Sequence, residues 1–383
     1  MKNKTSRKHT PMKGLLLRLG CLALLASAST LLKAADNLGN RGLERYNFFY
    51  AGENFAHRAM FIVKNGHVVW KTDETEAETK GLNPVDGGGY VGEISDAIWM
   101  DDAHILVAHQ YGIEEVAVDT VNWTSKVVWR QEWTRPDFEV HSIQPIGTKY
   151  VVYALCANKS DGTDRFKPNQ YKSQIEVRRI KDWKLVRSFP FPANTGRHGV
   201  NRSLRLTPWG TLVVAARQPH DAIEYDSHGK ELRRIHCDGL WGVEILENKH
   251  WLLTGNNTAH EYDENGNEVW SYNWGADPTI KNNPAYIGNK DGKFNLEVQK
   301  AFRLPDGITV LNNWGGWGSN TYDDAHQPIQ LRGVDKDKNV VWELQSWNGD
   351  DYLGPSTIFQ LLDKPVVRSK MRFGDIDDNY VCE

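Results

Sequence analysis

Short apolar runs separated by polar turns recur along most of the chain. The clearest unit covers residues 241–274 and contains the runs WGVEIL, HWLLTG, AHEYD and EVWSYN. Runs of this length, rich in Val, Ile, Trp and Tyr and bounded by Gly, Asn and Asp, are typical of β-strands joined by tight turns. The unit therefore predicts four consecutive strands, which is the content of one blade of a β-propeller.

The same order of runs occurs in five places. Besides residues 241–274, the units begin near residues 94, 140, 202 and 298, with first runs ISDAIWM, HSIQPIG, SLRLT and QKAFRL. The match is one of pattern rather than identity. A recurring order of short strands indicates a fold made of repeated β units.

The two ends of the chain supply parts of one more unit. Residues 355–363 have the form of a first strand, and residues 46–71 have the form of second, third and fourth strands. Joining the ends into one blade closes the ring and removes exposed sheet edges. The sequence therefore predicts an all-β fold: a six-bladed β-propeller of four-stranded blades at residues 46–363, closed by the C-terminal strand 355–363. Residues 364–383 are expected to form a polar C-terminal tail.

The first 35 residues have the features of a signal peptide. Basic residues at positions 2, 4, 7, 8 and 13 precede an apolar run at positions 19–28 and small residues that suit cleavage. Arg18, Leu19 and Gly20 make a poor lipoprotein signal before Cys21. We therefore expect an exported protein, periplasmic or extracellular, that has no membrane attachment after cleavage.

Charge and cysteine content limit the classes of binding partner and metal site that the chain can have. The chain has 46 basic and 49 acidic residues, and seven of the basic ones lie in the signal peptide, which leaves the mature chain at about −10. Bulk nucleic-acid binding is excluded because it needs a basic surface. Cys156, Cys237 and Cys382 lack C-x-x-C spacing, so a zinc site is not expected and at most one disulfide can form. We expect a monomer with no metal and no cofactor.

Long connections indicate which face carries function. Four long segments, residues 72–92, 156–172, 273–295 and 315–328, fall at positions that share one face of a propeller, whereas most turns on the other face are short. Long loops at one end of a rigid scaffold are where binding and catalysis usually occur.

Polar and aromatic residues are concentrated at this long-loop face. The first strands bring Asp96, His141, Arg202, Trp241, Gln299 and Ser356 to it, and the loops add His57, Arg58, His109, Arg217, Asn256, Asn257, Trp314, Trp317 and His326. Guanidinium groups pair with carboxylate or sulfate, and indoles stack on sugar rings. We therefore expect an anionic or carbohydrate ligand.

Other conspicuous residues are better explained by the repeated structure of the blades than by a binding site. Trp70, Trp129, Trp270 and Trp342 occupy equivalent places in fourth strands, where they are expected to pack between blades. The repeated Glu-Tyr-Asp runs at 224–226 and 261–263 are likewise architectural. Common nucleophile, phosphate-binding and dinucleotide-binding motifs are missing.

The repeated phrases EYDENGNEVWSYNW, EYDSHGKELRRI and GVDKDKNVVWEL resemble those of secreted bacterial propellers of the quinoprotein-like (PQQ-like) and arylsulfotransferase-like type. Six blades without adjacent cysteines argue against a bound quinone. The similarity to arylsulfotransferases implies a central histidine that carries a sulfuryl group, which is His141 here. Uronate-cleaving propeller lyases are also similar, and that similarity implies roles for His109, His141, Tyr153 and Arg202.

Two classes of function remain open at this point. In the first, an enzyme acts on a uronate-containing or sulfated saccharide, with His141 as base or nucleophile, His109 as its partner, and Arg202 and Arg217 binding the anion. Proton relay would then require His109 and His141 to share a cavity. In the second, the same face binds a glycan or protein without chemistry, and Trp241, Trp314 and Trp317 should form an exposed platform.

Overall fold

The computed structural model describes residues 40–52, 59–72, 94–109, 112–132, 138–157, 173–190, 201–281, 283–286, 296–315 and 327–382. Six antiparallel four-stranded blades stand in a ring, so the predicted six-bladed β-propeller is confirmed. The signal peptide lies outside the described residues.

The blades are numbered from the one that contains both ends of the propeller, and their strands are given from the axis outward. Blade 1 contains Ile358–Leu361, Phe48–Ala51, Met60–Lys64 and His67–Lys71. Blade 2 contains Ile94–Trp99, His104–His109, Gly112–Asp119 and Thr124–Glu132; blade 3 contains Phe138–Ile146, Tyr150–Ala157, Gln174–Arg179 and Leu185–Pro190. Blade 4 contains Asn201–Leu206, Leu212–Ala216, Asp221–Tyr225 and Glu231–His236; blade 5 contains Leu240–Ile245, Trp251–Gly255, Thr258–Tyr262 and Glu268–Asn273. Blade 6 contains Ala301–Arg303, Thr309–Asn312, Leu331–Val334 and Val340–Ser346.

The ring closes as the sequence predicts. In blade 1 the C-terminal strand pairs antiparallel with the N-terminal one, from Phe48 opposite Leu361 to Ala51 opposite Ile358. A short strand, Asn40–Arg41, also pairs with the outer strand of blade 6. The segment ahead of the first blade therefore extends the neighbouring blade to five strands.

Helical content is small. Single 3-10 turns occur at Leu43–Arg45, Trp274–Ala276, Pro284–Tyr286, Gly349–Asp351 and Arg368–Lys370, and a short α-helix at Pro278–Lys281. Among the residues that the structure describes, no helix has the length and apolar composition needed to cross a bilayer.

Apolar side chains fill the spaces between neighbouring blades. Trp342 is buried in one such space and packs edge-on to Tyr46, while its Nε1 donates to the Gly42 carbonyl at 2.9 Å. Trp129 donates to Glu115 at 2.7 Å from the equivalent strand of blade 2. These two fourth-strand tryptophans thus serve as packing residues whose polar edges are satisfied.

The repeated Asp-containing turns are also structural. Asp263 Oδ1 accepts from the backbone N–H of Asn265 at 2.9 Å and of Asn267 at 2.8 Å, and Asp226 and Asp335 make the same pair of bonds. An Asp side chain that caps its own turn stabilises the hairpin without needing a ligand.

The last residues pack against the face opposite the long loops. Val366 bridges Met100, the Gly147 N–H donates to the Met371 carbonyl at 3.0 Å, and Gly374 donates to Gly210 at 2.8 Å. Phe373 and Ile376 are fully buried in the apolar cluster of blades 3 and 4. The segment expected as a polar tail is therefore a strap, residues 364–382, that crosses three blades and contributes to the core.

Candidate functional site

Four neighbouring first strands carry a β-bulge at the same height. In blade 2, Ile94 pairs with His109 and Asp96 with Ala108, which leaves Ser95 as the extra residue. Equivalent register shifts fall at Arg202 in blade 4, at Trp241 in blade 5, and at residues 141–142 in blade 3. A bulge turns the extra side chain out of the ladder. The four bulges therefore present one residue per blade to its neighbour around the axis.

These residues contact one another in blade order. Ser95 Oγ lies 3.1 Å from His141 Nδ1, Arg202 Nη1 lies 3.2 Å from the same nitrogen, and the Arg202 guanidinium carbon lies 4.6 Å from the Trp241 ring centroid. Glu139 Oε1 lies 3.0 Å from His141 Nε2. We call Ser95, Glu139, His141, Arg202 and Trp241 the axial cluster. All five side chains are buried.

The contacts assign the imidazole tautomer. A guanidinium can only donate, so His141 Nδ1 accepts from Arg202 and the ring proton is on Nε2, facing Glu139. The carboxylate thus orients the ring, and the basic nitrogen faces Ser95 and Arg202. An imidazole held in this way is suited to accept a proton on Nδ1.

A second cation lies on the indole at the edge of the cluster. The Arg217 guanidinium carbon is 4.1 Å from the Trp241 ring centroid, and Trp314 packs against Trp241 with centroids 6.0 Å apart. Trp241 is 5% exposed and Trp314 is 3% exposed. The expected exposed platform is therefore wrong for these two indoles, because each is covered by its neighbours; Trp317 lies outside the described residues.

Asp96 belongs to a deeper layer than the sequence suggests. The position equivalent to Arg202 and Trp241 is held by Ser95, and Asp96 instead contacts Arg205 Nη1 at 2.8 Å and Lys300 Nζ at 2.7 Å. Burial alone would raise the pKa of Asp96, but Arg205 and Lys300 lower it to about 2. Asp96 faces Arg205 and Lys300 and not the axial cluster, because the bulge shifts the strand by one residue, and its role in ligand binding stays a prediction.

His109 and Tyr153 have partners in their own blades. His109 Nε2 lies 3.0 Å from Glu114 Oε1, and the Tyr153 hydroxyl donates to Glu176 Oε2 at 2.6 Å. Burial and the nearby Glu176 carboxylate raise the pKa of Tyr153 well above its ordinary range. Neither residue belongs to the axial cluster, so the structure supports neither His109 as the partner of His141 nor Tyr153 as an acid.

The other predicted site residues support the loops of the same face. Asn257 Oδ1 accepts from the Val298 N–H at 3.2 Å, the Gln299 carbonyl accepts from Thr254 Oγ1 at 2.6 Å, and the Ser356 N–H donates to the Asn313 carbonyl at 3.0 Å. Asn256 lies at a turn with a positive φ of 49°. The predicted residues His57, Arg58 and His326 lie outside the described residues.

Two residues of the cluster were not anticipated from the sequence. Glu139 precedes His141 by two positions, the spacing at which strand residues share a face, and Ser95 adjoins Asp96. The Glu-x-His spacing indicates that the two side chains share a face of the strand. The same spacing is common in strands that carry no functional site. Ser95 is identified only by the bulge.

Within the described part of the chain, one group of side chains has the spacing of metal ligands. Asp102, His104 and Glu115 converge on the face opposite the cluster. Arg368 of the strap already supplies the positive charge there, with Nη1 3.0 Å from Asp102 Oδ2 and 2.6 Å from Glu115 Oε1. The group is accounted for as an ion-pair network.

The cysteine beside the axial cluster, Cys156, is not activated as a nucleophile. Cys156, Cys237 and Cys382 are free thiols. Burial, followed by the proximity of Glu139, raises the pKa of Cys156 to about 12. A thiol that stays protonated is a poor nucleophile.

Comparisons with known proteins support the propeller fold and identify no chemistry. No protein-family model and no curated protein matches the chain. Among solved structures, a protein of unknown function from Bacteroides caccae is similar with a TM-score of 0.56 at 16% identity, over 79% of this chain and 94% of that one. A catalytically inactive virginiamycin B lyase from Staphylococcus aureus with quinupristin reaches a TM-score of 0.46 at 10% identity, over 84% and 94% of the two chains. A calcium-binding protein, regucalcin, from Agrobacterium tumefaciens reaches 0.44 at 11%, over 84% and 98%. The resemblance to quinoprotein-like and arylsulfotransferase-like proteins therefore stands only at the level of the propeller fold.

Proposed function

We propose that the protein is an exported enzyme that binds an anionic saccharide at the axial cluster and removes a proton from it through His141, as in the β-elimination of a uronate-containing polymer. One observation carries this proposal: the guanidinium of Arg202 lies beside the basic nitrogen of His141. In a uronate, the acidic proton is on the carbon bonded directly to the carboxylate. The group that binds the carboxylate and the base must therefore be neighbours.

The cluster provides the parts of that reaction. A substrate carboxylate takes the Arg202 guanidinium in a charge-assisted pair and frees His141 Nδ1. Pairing with Arg202 stabilises the negative charge that develops on the carboxylate as Nδ1 accepts the neighbouring proton. The Glu139 carboxylate, with Oε1 3.0 Å from Nε2, then stabilises the charge of the imidazolium. Nδ1 then returns the proton to the departing glycosidic oxygen, which leaves a carbon–carbon double bond in the product and a neutral imidazole.

Burial defines when the reaction can occur. His141 is fully buried, so the substrate reaches it only when the side chains that cover it move aside. Once water is excluded, the Arg202 charge acts on the carboxylate in a medium of low dielectric, where ionic interactions are stronger.

The test uses purified protein without residues 1–35. Polygalacturonate, alginate and a sulfated polysaccharide are each supplied, and ultraviolet absorbance of unsaturated product, released sulfate and binding are all measured. We expect unsaturated product from a uronate polymer, its loss in His141→Ala, and unchanged activity in His228→Ala, an exposed histidine on the opposite face. Binding without product, or sulfate release dependent on His141, would overturn the elimination.

A further inference from the structure

We propose that Ser95, His141 and Glu139 form a nucleophile, base and acid relay, and that the protein hydrolyses ester bonds through an acyl-enzyme on Ser95. The nucleophile is inferred from geometry alone. The class of substrate, an ester carried by an anionic saccharide, rests on the proposed function.

The three side chains stand in relay order across two blades. Ser95 Oγ of blade 2 is 3.1 Å from His141 Nδ1, and His141 Nε2 is 3.0 Å from Glu139 Oε1 of blade 3. A hydroxyl within hydrogen-bond reach of an imidazole, which is in turn oriented by a carboxylate, is the arrangement that activates a serine. In the serine proteases Nε2 faces the serine and Nδ1 faces the carboxylate, whereas here Nδ1 faces the serine and Nε2 faces the carboxylate. This does not change the proton route, because each nitrogen still serves one partner.

The bulge separates this arrangement from an ordinary packing hydrogen bond. Ser95 is the extra residue between the pairs Ile94–His109 and Asp96–Ala108, so its side chain leaves the ladder and faces the adjacent blade. The same bulge brings Arg202 and Trp241 to this level, and among the described residues the blade 2–blade 3 junction alone combines it with a hydroxyl and an oriented imidazole. The relay therefore depends on residues at which blades 2 and 3 differ from the pattern that the other blades repeat.

One cation lies beside the nucleophile. Arg202 Nη1 is 3.2 Å from the nitrogen that serves Ser95. Donors fixed beside the attacked carbonyl stabilise the tetrahedral intermediate. Arg202 is thus available either to a substrate carboxylate or to the oxyanion of an ester.

The reaction balances without a further reagent except water. Ser95 Oγ attacks the ester carbonyl and its proton passes to His141 Nδ1. The carbon–oxygen bond to the alcohol breaks as Nδ1 returns that proton to the leaving oxygen, which gives acyl-Ser95. Water, deprotonated by Nδ1, then attacks the acyl group, and the carboxylic acid leaves as Ser95 recovers its proton.

The experiment labels the protein lacking residues 1–35 with a fluorophosphonate probe and locates the adduct by mass spectrometry. We expect one adduct on Ser95, no adduct in Ser95→Ala, and a rate at least about 100-fold lower in His141→Ala. Ser125→Ala, an exposed serine of blade 2, should label as the wild type does. Hydrolysis of a p-nitrophenyl ester should follow the labelling in every variant.

The outcomes separate this inference from the proposed function. Failure to label folded wild-type protein, an adduct on another serine, or labelling that does not depend on His141 would overturn the relay, whatever the uronate assay shows. Labelling of Ser95 without uronate elimination would leave the relay standing and remove the proposed function. Elimination that survives Ser95→Ala while labelling is lost would support both.

Discussion

Arg202 Nη1 lies 3.2 Å from His141 Nδ1 across the junction of blades 3 and 4, while the same guanidinium lies against the ring of Trp241. The guanidinium thus contacts the base on one side and an indole face on the other. A substrate carboxylate would form a charge-assisted hydrogen bond with the same guanidinium. The contact is therefore the element of the site that ligand binding should change first.

Replacing Arg202 tests this exchange. Arg202→Gln should lower kcat/KM on the uronate polymer by roughly 10²–10³, because the substrate carboxylate loses the donor that stabilises its charge in the transition state. Arg202→Lys should recover part of the rate, since lysine restores the charge but lacks the bidentate hydrogen bonding of a guanidinium. The measurement is steady-state kinetics. Lys126→Gln is the control, because Lys126 is an exposed cation. Equal kinetics in wild type and Arg202→Gln would refute the role.

The Glu139 carboxylate can be tested through the tautomer that it holds. In Glu139→Gln the side-chain amide can donate to His141 Nε2, which places the ring proton on Nδ1 and opposes the Arg202 contact. We expect kcat to fall by about 10²–10⁴ with little change in KM, because the base is misprotonated rather than displaced. The matched control is Glu114→Gln, which removes the carboxylate from His109 in blade 2. A similar loss in both variants would show that the cluster has no special role.

The fold could be predicted because it depends on local pattern. Strand runs, Asp-containing turns and the split blade at the chain ends are each visible in a short stretch of sequence, and their order alone determines a closed ring. The strap is different. Phe373 and Ile376 stand in a polar segment, and what buries them is the tertiary surface of blades 3 and 4.

The site was only partly predictable for a physical reason. A bulge adds one residue to a strand and reverses which side chains face the axis, and pairing register depends on the neighbouring strand. His141, Arg202 and Trp241 were identified because the residue type itself was conspicuous. The sequence favours Asp96, which lies one position after Ser95. It also places His109 at the same face, whereas His109 contacts the carboxylate of Glu114 in its own blade.

The strap should be a stabilising part of the propeller. Phe373→Ala removes a fully buried ring that packs against Phe189 and should lower the free energy of unfolding by about 3–5 kcal/mol. Val381→Ala, at a residue that is 79% exposed, should change it by less than about 0.5 kcal/mol. Denaturant unfolding at equilibrium gives both values. A Phe373→Ala midpoint equal to that of Val381→Ala would mean that the strap detaches without cost.

Glu244 is a carboxyl near the axis whose cation partner is distant. It lines a cavity of about 610 Å³ at the mouth opposite the long loops, where Arg205 Nε is its nearest cation at 3.9 Å. Burial raises its pKa to about 7, Asp96 adds to this increase, and Arg205 and Lys300 oppose it. The folded protein therefore holds this proton more tightly than the unfolded chain does.

Stability should accordingly depend on pH through Glu244. Between the ordinary glutamate pKa and about 7, the folded state binds more protons than the unfolded state, so the free energy of unfolding falls as pH rises through this window. One pKa unit corresponds to about 1.4 kcal/mol, and the part of the side chain exposed to solvent reduces the effect, so we expect a loss on the order of 1–2 kcal/mol. Glu244→Gln cannot ionise and should remove this loss. Urea unfolding of both proteins at pH 5 and pH 8 isolates the contribution, because every other titrating group is common to both. A difference between variant and wild type that is the same at both pH values would show that Glu244 does not titrate in this range, which would mean that Arg205 and Lys300 outweigh the effect of burial.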